Sequence, residues 1–96
     1  MKSGKILVVD DNKGIRDALK ILLGGCFTQV LTLSSPTTLT STIEQMMPDL
    51  ILLDMNFKAD INSGNEGLFW LSEIKKRWPE MPVVLFTAYA DISLAV

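Results

Sequence analysis

Residues 5–12 read KILVVDDN, in which four consecutive apolar side chains are followed at once by two aspartates and an asparagine. A continuous apolar run rich in branched side chains is typical of a strand that is covered on both faces, as in a parallel sheet. A turn or a helix cap would normally follow such a strand. The doubled negative charge of Asp10 and Asp11 is therefore either a cap for the next element or part of a binding site.

The residues that follow this strand change period and predict a helix. Apolar residues recur at i, i+3, i+4, i+7 and i+8 and form one stripe, made of Ile15, Ala18, Leu19, Leu22 and Leu23. Gly24 and Gly25 supply the end of this helix. Residues 27–33 predict a weaker strand. Ser35 and Pro36 then form a good cap and first-turn pair for a second helix, which Pro48 ends.

The second half of the chain repeats this alternation. The apolar run 50–53 ends in Asp54 and is followed by a polar loop. Gly67 opens a third helix that Pro79 ends, with one apolar face made of Leu68, Leu71, Ile74 and Trp78. The apolar run 83–86 ends at Thr87, and residues 90–96 begin a fourth helix. This alternation predicts an α/β fold in which an open parallel sheet carries helices on both faces.

Composition restricts the classes of function that fit the chain. Its 96 residues, 48% of them hydrophobic, suit one small domain. The net charge of −2 comes without a basic block, so we expect no direct nucleic-acid binding by this chain. The chain has no histidine, which excludes Ser-His-Asp and Cys-His catalysis and every histidine-containing metal site.

Cysteine content and hydropathy indicate the compartment. Cys26 is the only cysteine, so a disulfide framework is excluded, and beside Phe27 we expect it to be a small buried side chain. The apolar runs fall far short of the roughly 18 residues that a membrane span needs. We therefore expect a soluble, cytoplasmic protein with no membrane contact.

Polar residues stand at the ends of three predicted strands. Asp10 and Asp11 follow the first strand, Asp54 the third and Thr87 the fourth. Ligands of open parallel sheets bind outside the carboxyl ends of the strands, so the fold would gather these residues. Neighbouring carboxylates repel one another, and a bound hard cation relieves the repulsion. Oxygen ligands without histidine or thiolate favour Mg²⁺.

The same arrangement suggests a reaction. Asp54 stands alone at its strand end and is the natural nucleophile, because a carboxylate can accept a phosphoryl group. The Thr87 hydroxyl would then hydrogen-bond a phosphoryl oxygen. Each residue also has an ordinary structural interpretation: Asp10 or Asp11 as a helix cap, Asp54 as a turn residue, Thr87 as a strand-end hydroxyl. Because all three strand ends fit one site, we favour the functional interpretation, with Asn12 as the cap.

Three motifs together resemble the receiver domain of two-component response regulators. They are VVDDN at 8–12, DLILLDMN at 49–56 and VVLFTAYAD at 83–91. The resemblance runs from Lys5 to Val96 and implies a flavodoxin-like sheet with strand order 2-1-3-4. It implies that Asp54 is the phosphoacceptor for the phosphohistidine of a sensor histidine kinase. It also implies a Mg²⁺ site formed by Asp10, Asp11, Asp54 and the backbone carbonyl of Asn56.

The resemblance implies further roles at the end of the fourth strand. Thr87 would be the switch hydroxyl, and Ala88 the small residue that leaves the phosphoryl group room. Asn56 and Tyr89 would tune how long the phosphate survives. Such a domain is a signalling module, with self-phosphorylation and slow self-dephosphorylation at most. The ending TAYADISLAV at 87–96 is similar to receivers that control sigma-54-type transcription activators, so we expect a transcriptional output domain outside this chain.

Two departures from the receiver pattern stand out. Gly67 lies thirteen residues after Asp54 without an intervening proline, where receivers commonly have eight, so the loop from Lys58 to Glu66 is longer. The loop is either a determinant of kinase choice or cation access, or a tolerated surface insertion. Deletion of five of its residues without any change in phosphorylation rate or partner preference would refute the first interpretation.

The second departure concerns the C-terminal part of a receiver. The fifth strand with its lysine and the fifth helix have no counterpart in residues 1–96, and Lys75 and Lys76 lie on the third helix. We therefore expect an incomplete receiver that ends in the fourth helix. The apolar strand 83–86 would then be a sheet edge, which favours dimerisation or strand exchange.

Two other functions compete with the phosphoacceptor interpretation. One is an interaction module that is not phosphorylated, and the absent lysine favours it. The other is a magnesium-dependent phosphatase with an aspartyl nucleophile. Such phosphatases carry a second aspartate two residues after the first, where this chain has Asn56.

Overall fold

Four short strands form one parallel sheet in the computed structural model, which describes residues 3–54 and 65–86. Side chains are described for 3–54 and 67–86. The strand order is β2-β1-β3-β4, and all neighbouring strands are parallel. The strands are β1 (Lys5–Val9), β2 (Gln29–Leu33), β3 (Leu50–Asp54) and β4 (Val83–Phe86). The predicted α/β fold and its 2-1-3-4 order are therefore confirmed, and β4 lies at one edge of the described sheet.

Three α-helices connect the strands. They are α1 (Lys13–Leu23), α2 (Leu39–Met46) and α3 (Asn65–Arg77). A 3₁₀ turn, Pro36–Thr38, precedes α2, and the Ser35 hydroxyl caps it by accepting a hydrogen bond from the Thr37 amide. None of the described helices is both long enough and apolar enough to span a membrane.

The boundaries of several elements differ from the sequence prediction. The strand expected from residue 27 begins at Gln29, and the helix expected from Gly67 begins at Asn65. The second helix stops before Pro48, because Met47 adopts a left-handed conformation with φ 46°. A left-handed residue of this kind commonly terminates a helix.

The core lies between one face of the sheet and the helices α2 and α3. Its fully buried strand residues are Leu7, Val9, Ile51 and Leu53, and its helix residues are Leu39, Ile43, Met46 and Ile74. Side chains alternate along a strand, so Ile6 and Val8 point to the opposite face. Helix α1 lies against β1 and β2. The site described below thus sits on β1, which is buried on both faces from Ile6 to Val9, and on β3, whose second face is half-buried at Leu52.

The expected burial of Cys26 was wrong, and the apolar faces of α1 and α3 are only partly covered. Helix α1 has no buried residue, and Leu22 of its apolar stripe is 68% exposed. Only Ile15, Leu19 and Leu23 of that stripe are half-buried. On α3, Leu68 is about half exposed, and Trp70 packs against the core instead. Cys26 is an exposed free thiol that lies beyond the end of α1.

Candidate metal centre

The carboxyl ends of β1 and β3 bring three aspartates together. Val9 pairs with Leu53 in the sheet, so the residues that follow them, Asp10 and Asp54, stand at the same level. One carboxylate oxygen from each of Asp10, Asp11 and Asp54 lies within 4.8 Å of the others. Residues more than forty positions apart in the chain thus form one acidic cluster.

Two of the three carboxylates are withdrawn from solvent. Asp10 is 1% exposed and Asp54 3% exposed, whereas Asp11 is half-buried. Burial of a carboxylate is costly unless hydrogen bonds or an opposite charge compensate it. The negative charges at this end of the sheet therefore need hydrogen bonds or a positive charge to offset the cost of their burial.

Hydrogen bonds hold both the backbone and the side chain of Asp10. Its backbone amide donates to the Leu33 carbonyl at 3.0 Å, and its Oδ1 accepts from the Asn12 amide at 2.8 Å. Its Oδ2 is buried and has no hydrogen-bond partner in the described part of the chain. A hydrogen bond thus fixes Oδ1, whereas Oδ2 is available to bind a ligand.

The pKa of Asp10 is raised above its ordinary value, mainly because burial disfavours the charged carboxylate. The hydrogen bond from the Asn12 amide opposes this rise, whereas the nearby Asp11 charge adds to it. The Arg16 guanidinium also opposes the rise in pKa.

The helix cap of α1 is Asn12. Its side-chain oxygen accepts a hydrogen bond from the Ile15 amide at 3.0 Å, and its backbone is extended, as an N-cap requires. Asn12, rather than Asp10 or Asp11, is therefore the N-cap residue of this helix, in agreement with the sequence prediction.

The donor set suits a hard divalent cation. Magnesium prefers oxygen ligands and usually takes one or two carboxylates while retaining water. Among the described residues the cluster offers three carboxylates, and Asp10 Oδ2, which has no hydrogen-bond partner among them, is a buried acceptor that a cation would satisfy. The residues present therefore fit Mg²⁺.

Comparison with known proteins identifies the family. Residues 6–96 match the family described as the response regulator receiver domain. The chain belongs to this family.

Relatives and solved structures agree with this assignment. The receiver is 32% identical over 96 residues to the DNA-binding transcriptional regulator NtrC of Salmonella typhimurium, covering all of this chain and 19% of that protein. It superimposes on the N-terminal signal receiver domain of a response regulator from Bacteroides fragilis with a TM-score of 0.81 and 52% identity, covering 98% of this chain and 74% of that one. The predicted likeness to NtrC-type activators is confirmed, and this chain spans about a fifth of their length.

A third solved chain is described as a transiently phosphorylated "switch" in bacterial signal transduction. The receiver is 32% identical to it with a TM-score of 0.70, covering 100% of this chain and 73% of the other.

The other predicted site residues lie outside the described residues. Asn56, Thr87, Ala88 and Tyr89 belong to this group, as does most of the loop from Lys58, whose last two residues begin α3. Phe86 pairs with Asp54 in the sheet, and Thr87 is the next residue of the chain.

Sequence reasoning missed Arg16. Its Nη1 donates a hydrogen bond to the backbone carbonyl of Asp10 at 2.9 Å, in a partly buried environment. A backbone carbonyl leaves no trace in a sequence pattern. The only signal was an arginine six residues after Asp10 and close to the apolar stripe of α1.

Proposed function

We propose that this receiver is a phosphoacceptor module that takes a phosphoryl group from the phosphohistidine of a sensor histidine kinase onto Asp54, in a Mg²⁺-dependent reaction. The observation that supports this most is the buried Asp54 carboxylate in one cluster with Asp10 and Asp11, together with the unpartnered Asp10 Oδ2. Membership of the receiver family supports this class of reaction.

In the proposed transfer, a carboxylate oxygen of Asp54 attacks the phosphorus atom. The P–N bond to the kinase histidine breaks and its electron pair stays with the imidazole, while a new P–O bond makes an acyl phosphate. Asp10, Asp11, Asp54 and the backbone carbonyl of Asn56 would hold the Mg²⁺. When bound, Mg²⁺ supplies the positive charge that lets an anionic carboxylate approach an anionic phosphoryl group.

The protein groups around the acyl phosphate have separate roles in this proposal. The Thr87 hydroxyl hydrogen-bonds a phosphoryl oxygen and reports its presence, and Ala88 leaves room for it. Asn56 and Tyr89 influence how fast water reaches the phosphorus. The near-complete burial of Asp54 limits hydrolysis from the β1 and β3 side.

We further propose that the domain, residues 1–96, acts through an output domain in a longer protein. NtrC, of which this chain covers 19%, is named as a DNA-binding transcriptional regulator. The net charge of −2 without a basic block supports an assignment of any DNA contact to that output domain. The phosphotransfer would take place in the cytoplasm, where the kinase obtains its phosphoryl group.

The direct test is incubation with Mg²⁺ and acetyl phosphate as a small phosphodonor. We expect phosphate that is stable to acid and labile to base on the natural chain, with no label on Asp54→Asn and none when Mg²⁺ is chelated. If the chain takes up no phosphate with Mg²⁺, and still takes up none when the fifth strand and fifth helix of a complete receiver are fused to it, the proposal is contradicted and the unphosphorylated interaction module is favoured.

A further inference from the structure

Arg16 contacts the acidic turn with both its backbone and its side chain. Its backbone amide donates to the Asn12 carbonyl at 3.0 Å, and its guanidinium Nη1 donates to the Asp10 carbonyl at 2.9 Å. These two carbonyls mark the two ends of the turn 10–12, and Asp11 lies between them. One residue of α1 therefore fixes both ends of the segment that carries two of the three carboxylates.

The other polar groups of Asp10 show what this contact achieves. Its amide is bound to the Leu33 carbonyl, its carbonyl to Arg16, and its Oδ1 to the Asn12 amide. Only Oδ2 remains unpartnered in the described part of the chain, and it is buried in the acidic cluster. Because hydrogen bonds fix three polar atoms of Asp10, the orientation of the fourth, Oδ2, is restricted.

The location of Arg16 is not explained by helix stability. A positive charge in the first turns of a helix opposes the helix dipole, which favours negative groups there. The first turn of α1 contains no acidic residue that would offset this, and the carboxylates that the Arg16 charge favours are those of Asp17, next to it, and of Asp10, before the helix. Arginine also has only donors, so it cannot itself be a cation ligand.

We propose that Arg16 is a positioning residue of the cation site, which holds the turn 10–12 so that Asp10 Oδ2 and the Asp11 carboxylate face a divalent cation. The inference rests on the proposed function for the identity of the cation. Groups that orient metal ligands typically change metal affinity about 10- to 100-fold when they are removed.

The sign of the effect separates this role from simple electrostatics. The Arg16 charge has two opposite effects on the site: the guanidinium repels the cation, but it also lowers the pKa of the Asp10 ligand. At a pH well above that pKa only the repulsion remains, so by charge alone the removal of Arg16 would strengthen Mg²⁺ binding there. Loss of the turn's orientation would weaken Mg²⁺ binding. A purely structural role would lower the melting temperature without changing the affinity of the folded protein.

The experiment compares Arg16→Met, Arg16→Lys and the matched control Lys20→Met, which removes an exposed charge from the same helix. Mg²⁺ and Mn²⁺ affinities are measured by calorimetry at temperatures where every variant is folded. We expect Arg16→Met to bind about tenfold or more weakly, Arg16→Lys to recover part of this loss, and Lys20→Met to bind as the natural chain does.

The possible failures are distinguishable. If the natural chain binds Mg²⁺ and Arg16→Met binds equally well or more tightly, the positioning role is refuted and the proposed function stands. If the natural chain itself binds neither cation, both proposals fail. The positioning role also predicts a result in the metal-free protein: the Asn12 amide should exchange hydrogen faster in Arg16→Met than in Lys20→Met. Equal exchange rates would refute this role.

Discussion

At the residue scale, Asp10 has the most demanding environment in the site. Its side chain is almost fully buried, yet one of its two carboxylate oxygens has no hydrogen-bond partner in the described part of the chain. A buried charge with incomplete compensation destabilises the folded state. The metal-free domain is therefore less stable than the same fold with a neutral side chain at this position.

We expect Asp10→Asn to stabilise the metal-free domain at neutral pH. Burial raises the pKa of Asp10 in the folded state, so the stability contributed by its protonated form is lost as pH rises through that pKa. The neutral amide avoids this loss. The gain should be on the order of 1 kcal/mol, or about 4 to 8 °C in melting temperature, and should shrink as pH falls. Thermal unfolding in a chelator at several pH values measures it.

Asp17→Asn is the control with the opposite sign. The hydrogen bond from Lys13 lowers the pKa of Asp17, so its contribution to stability is present at neutral pH and is lost as pH falls through the folded pKa. This exposed substitution should therefore leave stability unchanged or slightly lower. A metal-free Asp10→Asn variant that is less stable than the natural chain at neutral pH would show that the Asp10 charge is well compensated.

The three aspartates could be found from the sequence, but their hydrogen-bond partners could not. The carboxyl ends of parallel strands share one edge, so strand-end residues converge whatever the details of packing. The contact of Arg16 with a backbone carbonyl depends on the path of one long side chain, which no periodicity encodes. Cys26 was wrongly expected to be buried, because the tendency of cysteine towards burial says nothing about cover beyond a helix end.

At the element scale, α1 links the helix cap to the site. Asn12 accepts the Ile15 amide with its side chain and donates its own amide to Asp10 Oδ1. The same residue thus starts the helix and fixes a carboxylate.

We expect Asn12→Ala to lower the free energy of unfolding by about 1 kcal/mol, because the Ile15 amide loses its acceptor. Asn12→Ser keeps a side-chain oxygen at the cap and should lose much less. Urea denaturation of the metal-free proteins provides both values. Equal losses for alanine and serine would mean that the side-chain cap contributes little to α1.

The type of each strand and α-helix followed from the sequence, whereas residues 36–38, expected as the first turn of the second helix, form a 3₁₀ turn. The ends and the packed faces of the elements depended on tertiary contacts. Met47 ends α2 through a left-handed backbone that only the structure reveals. The apolar stripe of α1 predicted a helix, but Leu22 on this stripe remains exposed, and among the described elements α1 packs mainly against β1 and β2. Periodicity identifies a helix without saying how much of its apolar side is covered.

At the scale of the whole molecule, β4 is the edge of the described sheet. Val84 of this strand is 47% exposed, and an edge strand presents unpaired backbone groups to other chains. An apolar edge of this kind is typical of a surface that pairs with another strand.

We expect the 96-residue chain to self-associate through β4 as its concentration rises. Val84→Lys should shift the chain to monomers, because a lysine on an edge strand opposes pairing. Ile21→Lys, which adds the same charge on an exposed residue of α1, should associate as the natural chain does. Small-angle scattering over a concentration series measures both, and a natural chain that stays monomeric at high concentration would refute the prediction.

The overall topology was predictable only in two steps. Alternating strands and helices predict a parallel sheet, but alternation does not determine which strands are neighbours. The order 2-1-3-4 required the resemblance carried by the three motifs, and the sheet confirms it. The roles of Thr87, Ala88 and Asn56, which lie outside the described residues, stay predictions.

The measurement that tests the central claim most directly is identification of the residue that carries the phosphoryl group. After treatment with Mg²⁺ and acetyl phosphate, borohydride reduces an acyl phosphate to an alcohol, and peptide mass spectrometry locates the reduced side chain. We predict reduction at Asp54 alone, dependent on Mg²⁺ and weakened in Arg16→Met. Reduction at Asp10 or Asp11 instead, or none at any aspartate with Mg²⁺ present, also in a chain completed with a fifth strand and helix, would contradict the account.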